Sequence, residues 1–346
     1  MNKPSVRSSV ECKGVWKIFG KRASEALPAI KKENLDKAEA LRRFNCVVGV
    51  ADASFSVSPG KIFCIMGLSG SGKSTLVRHI NRLIEPTAGE IWVEGEDVNR
   101  LNDQDLRALR SKRIGMVFQN MALLPHRNVR DNVALSLELR GMPRARRYEI
   151  AEEKLSLVSL GGWSDRFPHE LSGGMKQRVG LARAMAADPD ILLMDEPFSA
   201  LDPVIRRQLQ VQFLELASVL NKTTIFITHD LDEAIKLGDD IAIMKDGRIV
   251  QVGTPEDIVT NPTEPYVADF VAGISRLRLV TARKIMAQVD GQMSLGSGPR
   301  AGLDATLDDL IDLACGSEEP ISILDGDRVA GLITKHELLR GIQGHK

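Results

Sequence analysis

Gly67-Leu68-Ser69-Gly70-Ser71-Gly72-Lys73-Ser74 places glycines, a lysine and a hydroxyl at the spacing G-x-x-x-x-G-K-[ST]. Residues of these types at this spacing handle phosphate. Glycines let the backbone approach phosphate oxygens, and amide N–H groups at a helix N-terminus point at them. Lys73 is then expected to reach the β- and γ-phosphates and Ser74 to ligate Mg²⁺. A plain Gly/Ser turn ahead of an ordinary helix is the blander alternative, and both flanks speak against it. Ile62-Phe63-Cys64-Ile65-Met66 is an apolar run suited to a buried parallel strand. Leu76, Val77, Ile80, Leu83 and Ile84 recur at helical spacing after the loop.

Further polar groups end other apolar runs. Ile191-Leu192-Leu193-Met194 leads into Asp195 and Glu196, two carboxylates that are costly to bury without a cation. Asp195 suits Mg²⁺ held through water. Glu196, on the opposite side of the pleat, suits a general base for water. Thr224-Ile225-Phe226-Ile227-Thr228 ends in His229, and Ile114-Gly115-Met116-Val117-Phe118 ends in Gln119. Taken singly, Gln119 reads as a surface glutamine and His229 as a structural histidine. Placed together at the C-terminal edge of one sheet, where α/β folds bind ligands, they read as function, with Gln119 on Mg²⁺ or the attacking water. In Leu171-Ser172-Gly173-Gly174, Ser172 can cap the next helix while two glycines bare its N–H groups, a second anion site. Ser199-Ala200-Leu201-Asp202 closes a turn. Phe19 and Trp16 are candidates to stack on an adenine ring, with core packing as the alternative, more so for Trp16.

Several elements must position these groups. A strand is expected over 11–20, then a charged insertion over 21–43 with seven basic and four acidic side chains and one short amphipathic helix. A strand at 47–57, a hairpin at 89–98, a helix at 103–111 and a mainly helical stretch from about 121 to 185 follow. A late hairpin spans 241–250, and prolines break the chain to about 271. The domain boundary is placed near 273–276, giving a first domain over 1–275 and a second over 276–346. In the second, 280–300 is weakly patterned and Thr306 starts a helix. Strands at 321–324 and 329–333 flank the turn Asp325-Gly326-Asp327, and Thr334-x-x-Glu337 caps a last helix, making a small α+β module.

Composition narrows the class. At 346 residues the chain is long for a single core. Lys plus Arg and Asp plus Glu number 46 each, which gives no reason to expect nucleic acid as the partner. The four cysteines are widely spaced, with no C-x-x-C, as in a reduced cytosolic chain without a structural metal. No apolar signal segment and no run of about 18 apolar residues occurs, so any membrane role is expected to go through a partner.

In this order and spacing the motifs resemble those of the ATP-binding subunits of ABC transporters, across residues 10–270. The resemblance implies an α/β P-loop NTPase fold, with a mostly parallel core sheet, an antiparallel β subdomain and a helical subdomain. It makes residues 67–75, Thr75 included, the Walker A loop, Phe19 the adenine-stacking aromatic and Gln119 the Q-loop glutamine. Residues 171–175 become the signature sequence, 191–196 Walker B with Glu196 the catalytic glutamate, 199–202 the D-loop and His229 the switch histidine. ATP and Mg²⁺ are the implied cofactors. The subunits of this family dimerise head to tail, so Ser172, Gly173, Gly174 and Asp202 would act on the partner's ATP. The phrases "IMGLSGSGKSTLVRHINRLIEPTAGEI", "MALLPHRNVRDNV", "LSGGMKQRVGLARA" and "VQVGTPEDIVTNP", with the charged insert and Met175, resemble the glycine betaine/proline/choline importer ATPases. The short tail makes the choline-type versions most similar.

That resemblance implies an ATPase peripheral to the cytoplasmic face of the membrane, a membrane permease subunit, and a periplasmic or extracellular binding protein reached indirectly. Met121, Leu123, Leu124 and Pro125 would dock the permease; core packing of the leucines is the alternative. The tail resembles a single CBS module. Glu337 stands where members that bind adenosyl ligands often have Asp, so an ionic or structural role is expected over nucleotide sensing. A soluble ABC ATPase outside transport is the competing reading. Such proteins usually carry two cassettes or a long coiled coil, and this chain has one Walker A and no long heptad run.

Overall fold

The computed structural model describes residues 8–199, 201–288, 298–326 and 328–343, the side chains of 218–220 excepted. Ala200 and Asp327, from the two expected turns, lie outside these, as does 289–297 in the weakly patterned stretch.

The chain divides into two compact units, one up to Val252 and one from Gly253. The first runs β1 (Val10–Phe19), α1 (Ala23–Glu33), α2 (Lys37–Phe44), β2 (Val47–Val57), β3 (Ile62–Met66), α3 (Lys73–Ile80), β4 (Ala88–Val93), β5 (Glu96–Asp97), α4 (Asp103–Lys112) and β6 (Ile114–Val117). It continues with α5 (Val129–Leu139), α6 (Arg144–Leu157), α7 (Gly173–Ala186), β7 (Ile191–Asp195), α8 (Pro203–Leu220), β8 (Thr223–Thr228), α9 (Leu231–Leu237), β9 (Asp240–Lys245) and β10 (Arg248–Gly253).

The core sheet has the order β10-β9-β3-β8-β7-β6. β3 is parallel to both β8 and β9, and β7 is parallel to β8 and β6. Every residue of β3, β7 and β8 is buried, because both faces of the parallel sheet are covered, by helices and in part by the second sheet. Their sequences are therefore continuous apolar runs. The polar groups that end them emerge together at the carboxyl edge.

A second sheet, β2-β1-β4-β5, is antiparallel. Its inner residues Val10, Phe55 and Val93 share one core with Phe63, Leu76 and Ile80, and the Phe55 and Phe63 rings stack 5.0 Å apart. The 21–43 insertion holds two helices where one was expected. Asn34 ends α1 in the left-handed conformation, and Asp36 with Glu39 forms a capping box that restarts the chain as α2. Ala26, Ile30, Leu35 and Ala40 of this hairpin pack on Trp16, Ile18 and Val48, a core of their own.

The second unit holds α10 (Pro255–Thr260), α11 (Pro265–Val271), α12 (Ala282–Ile285), β11 (Ala287–Gln288), β12 (Arg300–Gly302), α13 (Leu307–Cys315), β13 (Ile321–Asp325), β14 (Arg328–Ile333) and α14 (Lys335–Gln343). Its sheet runs β11-β14-β13-β12, with only β12 and β13 parallel. Val280, Leu307, Leu310, Ile321, Ile323, Ile333 and Leu338 form its core. The unit begins earlier than the expected boundary because side chains of α10 tie into the tail. Glu256 accepts from both the Thr281 amide and hydroxyl, and Asp257 pairs with Lys284 at 2.7 Å. Arg276 also donates to the Val259 carbonyl. At the last helix Glu337 accepts from the Thr334 amide, while Thr334 Oγ1 accepts from His336 N, one residue short of the full box. Among the described residues no helix is long and apolar enough to cross a membrane.

Candidate nucleotide site

The loop between β3 and α3 is shaped by backbone contacts that exclude side chains. A Cβ on Gly67 would lie 2.2 Å from the Met244 carbonyl oxygen, and one on Gly72 would lie 2.3 Å from that of Gly49. Both glycines have positive φ, which a side chain would strain further. Ser69 and Gly70 face solvent, and nothing lies within 4 Å of a Cβ built on Gly70. Ser71 Oγ is buried with no partner among the described residues, a polar atom awaiting an acceptor or donor. Thr75 follows Ser74 in the first turn of α3.

Lys73 is buried, and its Nζ donates to the loop's own carbonyls, Gly67 O at 2.7 Å and Leu68 O at 3.1 Å. It lies 3.8 Å from Glu196 Oε1. Burial lowers the ammonium's pKa from its ordinary value, and the charges of Glu196 and Asp195 oppose that shift. The loop thus curls its carbonyls around a cation.

The two carboxylates at the tip of β7 take separate partners, Asp195 within the strand and Glu196 beyond its end at positive φ rather than on an alternating pleat. Asp195 is wholly buried, and its Oδ1 accepts from Ser74 Oγ at 2.7 Å. Its Oδ2 accepts from Arg78 Nη2 at 2.9 Å. Glu196 leaves the strand with φ 45° and keeps 15% side-chain exposure. Its Oε2 meets Gln119 Nε2 at 3.2 Å and His229 Nδ1 at 3.2 Å. Three strand ends therefore deliver Gln119, Glu196 and His229 to one point beside Lys73. Arg78 was not singled out from the sequence; its signal is the i,i+4 spacing from Ser74 along α3.

Phe19 is 41% exposed at the end of β1, with Lys17 Nζ 5.1 Å from its ring centroid. Its ring covers Gly49, where a Cβ would lie 2.7 Å from Phe19 Cε2. Trp16 is buried at 3% exposure against the inserted helices, so packing accounts for it and Phe19 alone can offer a free ring face. Gly247, in the β9–β10 turn, joins the two ends of the site. Its N–H donates to Ser71 O at 2.9 Å, and its carbonyl accepts from Ala51 N at 2.8 Å.

Beyond Gln119 the chain is held from α5 and α7. Arg183 donates to the carbonyls of Met121 and Ala122, each at 2.6 Å. Leu123 and Leu124 are half-buried and Pro125 is exposed, so the leucines lie outside the described hydrophobic cores. Ser172 caps α7 by accepting from Met175 N at 3.3 Å; it and Gly173 are exposed. A Cβ on Gly174 would lie 2.8 Å from Ile205 Cγ2. Asp202 caps α8 through Val204 N and Ile205 N, both at 3.1 Å. Among the described residues no hydrogen bond or ion pair links Ser172, Gly173, Gly174 or Asp202 to the Lys73–Glu196 cluster.

This arrangement fits a nucleotide with Mg²⁺. Mg²⁺ takes hard oxygen ligands, one or two from carboxylates, and leaves the rest to water and phosphate. Ser74, Asp195 and Gln119 would supply a hydroxyl, a buried carboxylate and an amide, and the orphaned Ser71 hydroxyl and the bare loop are available to phosphates.

Residues 50–199 match the family model described as "ABC transporter". The chain is 49% identical over 296 residues to the glycine betaine/carnitine transport ATP-binding protein GbuA of Listeria monocytogenes, covering 86% of this chain and 74% of that protein. It is 46% identical over 331 residues to the trimethylamine N-oxide transport system ATP-binding protein TmoW of Ruegeria pomeroyi, covering 95% and 96%. A solved dimeric ATP-binding cassette in a post-hydrolysis state, bound to ADP and Pi, aligns with a TM-score of 0.60 at 30% identity, over 71% of this chain and 98% of that one.

Proposed function

Since the chain belongs to the ABC transporter family, among the ATP-binding proteins of glycine betaine and related transport systems, and hydrolyses ATP, we propose that it powers import of a quaternary ammonium or similar methylated amine through a separate membrane subunit. The observation that carries the reading is the meeting of Lys73, Gln119, Glu196 and His229 at the mouth of the glycine loop. Choline, glycine betaine and proline betaine are the candidate solutes. Glycine betaine and trimethylamine N-oxide, named for the two relatives, share a trimethylated nitrogen.

In this reading adenine stacks on Phe19, and the triphosphate lies along residues 67–75. Lys73 turns from the loop carbonyls to the β- and γ-phosphates. Ser74, Asp195 and Gln119 hold Mg²⁺, which when bound neutralises charge on those phosphates. Glu196 accepts the proton of the attacking water, while Gln119 and His229 fix its carboxylate. Ser172, Gly173, Gly174 and Asp202 are free of their own loop, as suits groups that complete the site of a second subunit placed head to tail. The segment over 121–125 docks the permease, which places the chain at the cytoplasmic face of the membrane, and a binding protein delivers the solute.

The second unit is proposed as one CBS-like module. Leu339 and Ile342 are exposed on α14, where a second copy can pair. Glu337 is engaged by the Thr334 amide, which favours a structural or ionic role over nucleotide binding.

Glu196→Gln tests the core of the proposal. Hydrolysis should fall by about 10²–10⁴-fold, the usual contribution of a general base, with ATP still bound and a dimer trapped on size exclusion. Near-normal turnover would overturn the assignment.

A further inference from the structure

Arg78 lies one helical turn beyond Ser74 on α3, so both side chains share a face. They divide Asp195 between them: the hydroxyl takes Oδ1 at 2.7 Å and the guanidinium takes Oδ2 at 2.9 Å. Asp195 is wholly buried, whereas the Arg78 side chain is 39% exposed. Arg78 can therefore swing out to water, and Asp195 cannot. Among the described residues Arg78 is the one cation within ion-pair distance of Asp195, and Asp195 the one acid paired with Arg78. Lys73 stands opposite Glu196 in the same way. Apart from His229, which is charged only if protonated, the cluster thus holds two negative and two positive side chains, which cancel.

We propose that Arg78 is the stand-in cation of the Mg²⁺ site, a positioning residue that occupies Asp195 until nucleotide arrives. The inference rests on the reading of Ser74 and Asp195 as the Mg²⁺ site. A bare divalent ion would enter a neutral pocket that already carries two cations. It would give up hydration waters that Mg²⁺ releases reluctantly, and gain no net negative charge in return. The triphosphate brings that charge, so metal enters with nucleotide. Arg78 also keeps the empty site folded, since a buried carboxylate with no cation is strongly destabilising. Its exposed flank lets it retreat along the protein surface when the metal takes over.

The test uses the full-length, nucleotide-free protein with Mn²⁺ as probe, read by loss of the free-ion electron paramagnetic resonance signal. Wild type should bind Mn²⁺ weakly. Arg78→Met leaves the cluster with a net negative charge and should bind at least about tenfold more tightly. Arg78→Lys should return to the wild-type level, and Arg78→Met combined with Asp195→Asn should lose the gain. Equal Mn²⁺ binding by wild type and Arg78→Met overturns the proposal. If Arg78→Met does not fold without metal, its thermal unfolding is followed against Mn²⁺ concentration. A rise in Tm absent from wild type supports the proposal, and no difference overturns it. The Mg²⁺ dependence of ATP affinity in Asp195→Asn separates the two levels of argument. If that dependence survives, the site itself is misassigned. If it is lost while Arg78→Met binds no extra Mn²⁺, the role of Arg78 alone falls.

Discussion

Asn132 is wholly buried on α5 and fixes the segment that follows Gln119. Its Oδ1 accepts from Leu124 N at 2.7 Å. Its Nδ2 faces three carbonyls, Leu124 O at 3.1 Å, Arg127 O at 3.0 Å and Asn128 O at 3.0 Å. Asn132→Leu keeps the branched shape of the side chain and removes every one of these bonds. Asn128 O retains the helical bond from Asn132 N and Leu124 O the one from Arg127 N, so two groups lose their partner: Leu124 N–H and Arg127 O. A net hydrogen bond is worth about 1 kcal/mol, and a buried orphan costs about 1–3 kcal/mol. The segment lies near the surface and can turn its freed groups to water, which caps the loss at about 2–4 kcal/mol of local stability. That corresponds to opening about 30- to 1000-fold more often. Hydrogen exchange at the Leu124 amide should accelerate by that factor, while amides of β3 stay protected. Unchanged exchange at Leu124 would refute the view that this one side chain holds the segment. Because the same segment is proposed to meet the permease, transport should also fall further than ATPase activity.

Other substitutions test separate parts of the scheme. Gly72→Ala forces a Cβ against the Gly49 carbonyl at positive φ, a strain of about 1–3 kcal/mol or a displaced loop; ATP affinity measured by calorimetry should drop at least about tenfold, and unchanged affinity would contradict the close contact. Leu123→Asp should leave the isolated subunit's ATPase activity intact and abolish transport in proteoliposomes, whereas loss of circular dichroism would show the leucine to be core. Glu233 is buried beside Gln210, and burial raises its pKa above the ordinary 4.5. The folded state then binds the proton more tightly than the unfolded one, so its stabilising contribution is full below the unfolded value and is lost as pH rises through the folded value. Glu233→Gln should therefore match wild type in Tm in acid and exceed it increasingly toward neutral pH; a constant difference would refute the assignment.

The site was legible where chemistry sits at the ends of apolar runs. Gly67 to Ser74, Asp195, Glu196, Gln119 and His229 stand out because a polar group at the tip of a buried strand is costly unless something arrives to pair with it. From the sequence, core packing weighs more for Trp16 than for Phe19, although both are aromatics on one strand. What decides between them is the insertion: Ala26 and Ile30 of its first helix share a core with Trp16, and Ala40 of its second helix belongs to the same core. That helix was itself readable, because Asp36-x-x-Glu39 is a capping signature, but charge obscured it. Arg78, Arg183 and Asn132 were missed for another reason. Their partners lie at sequence separations of 117, 61 and 8; the spacing of Arg78 from Ser74 shows a shared helix face but not the distant acid, and nothing local marks Arg183 or Asn132 as bonded. The unit boundary was placed late because Glu256 and Asp257 commit to partners beyond position 280, which composition does not reveal.

Gly49, Gly72 and Gly247 meet where β2, the phosphate loop and the β9–β10 turn press backbone on backbone. The Phe19 ring rests on the first of these, and hydrogen bonds run from Ser71 through Gly247 to Ala51. Aromatic and loop are thus the jaws of a caliper whose gap is machined in main chain. Exchanging side chains elsewhere on β1 and β2 can alter what a base proposed to stack there would touch. It does not alter how far from the loop the Phe19 ring is held. The gauge length is inherited with the fold, and it can be recut only by moving a strand.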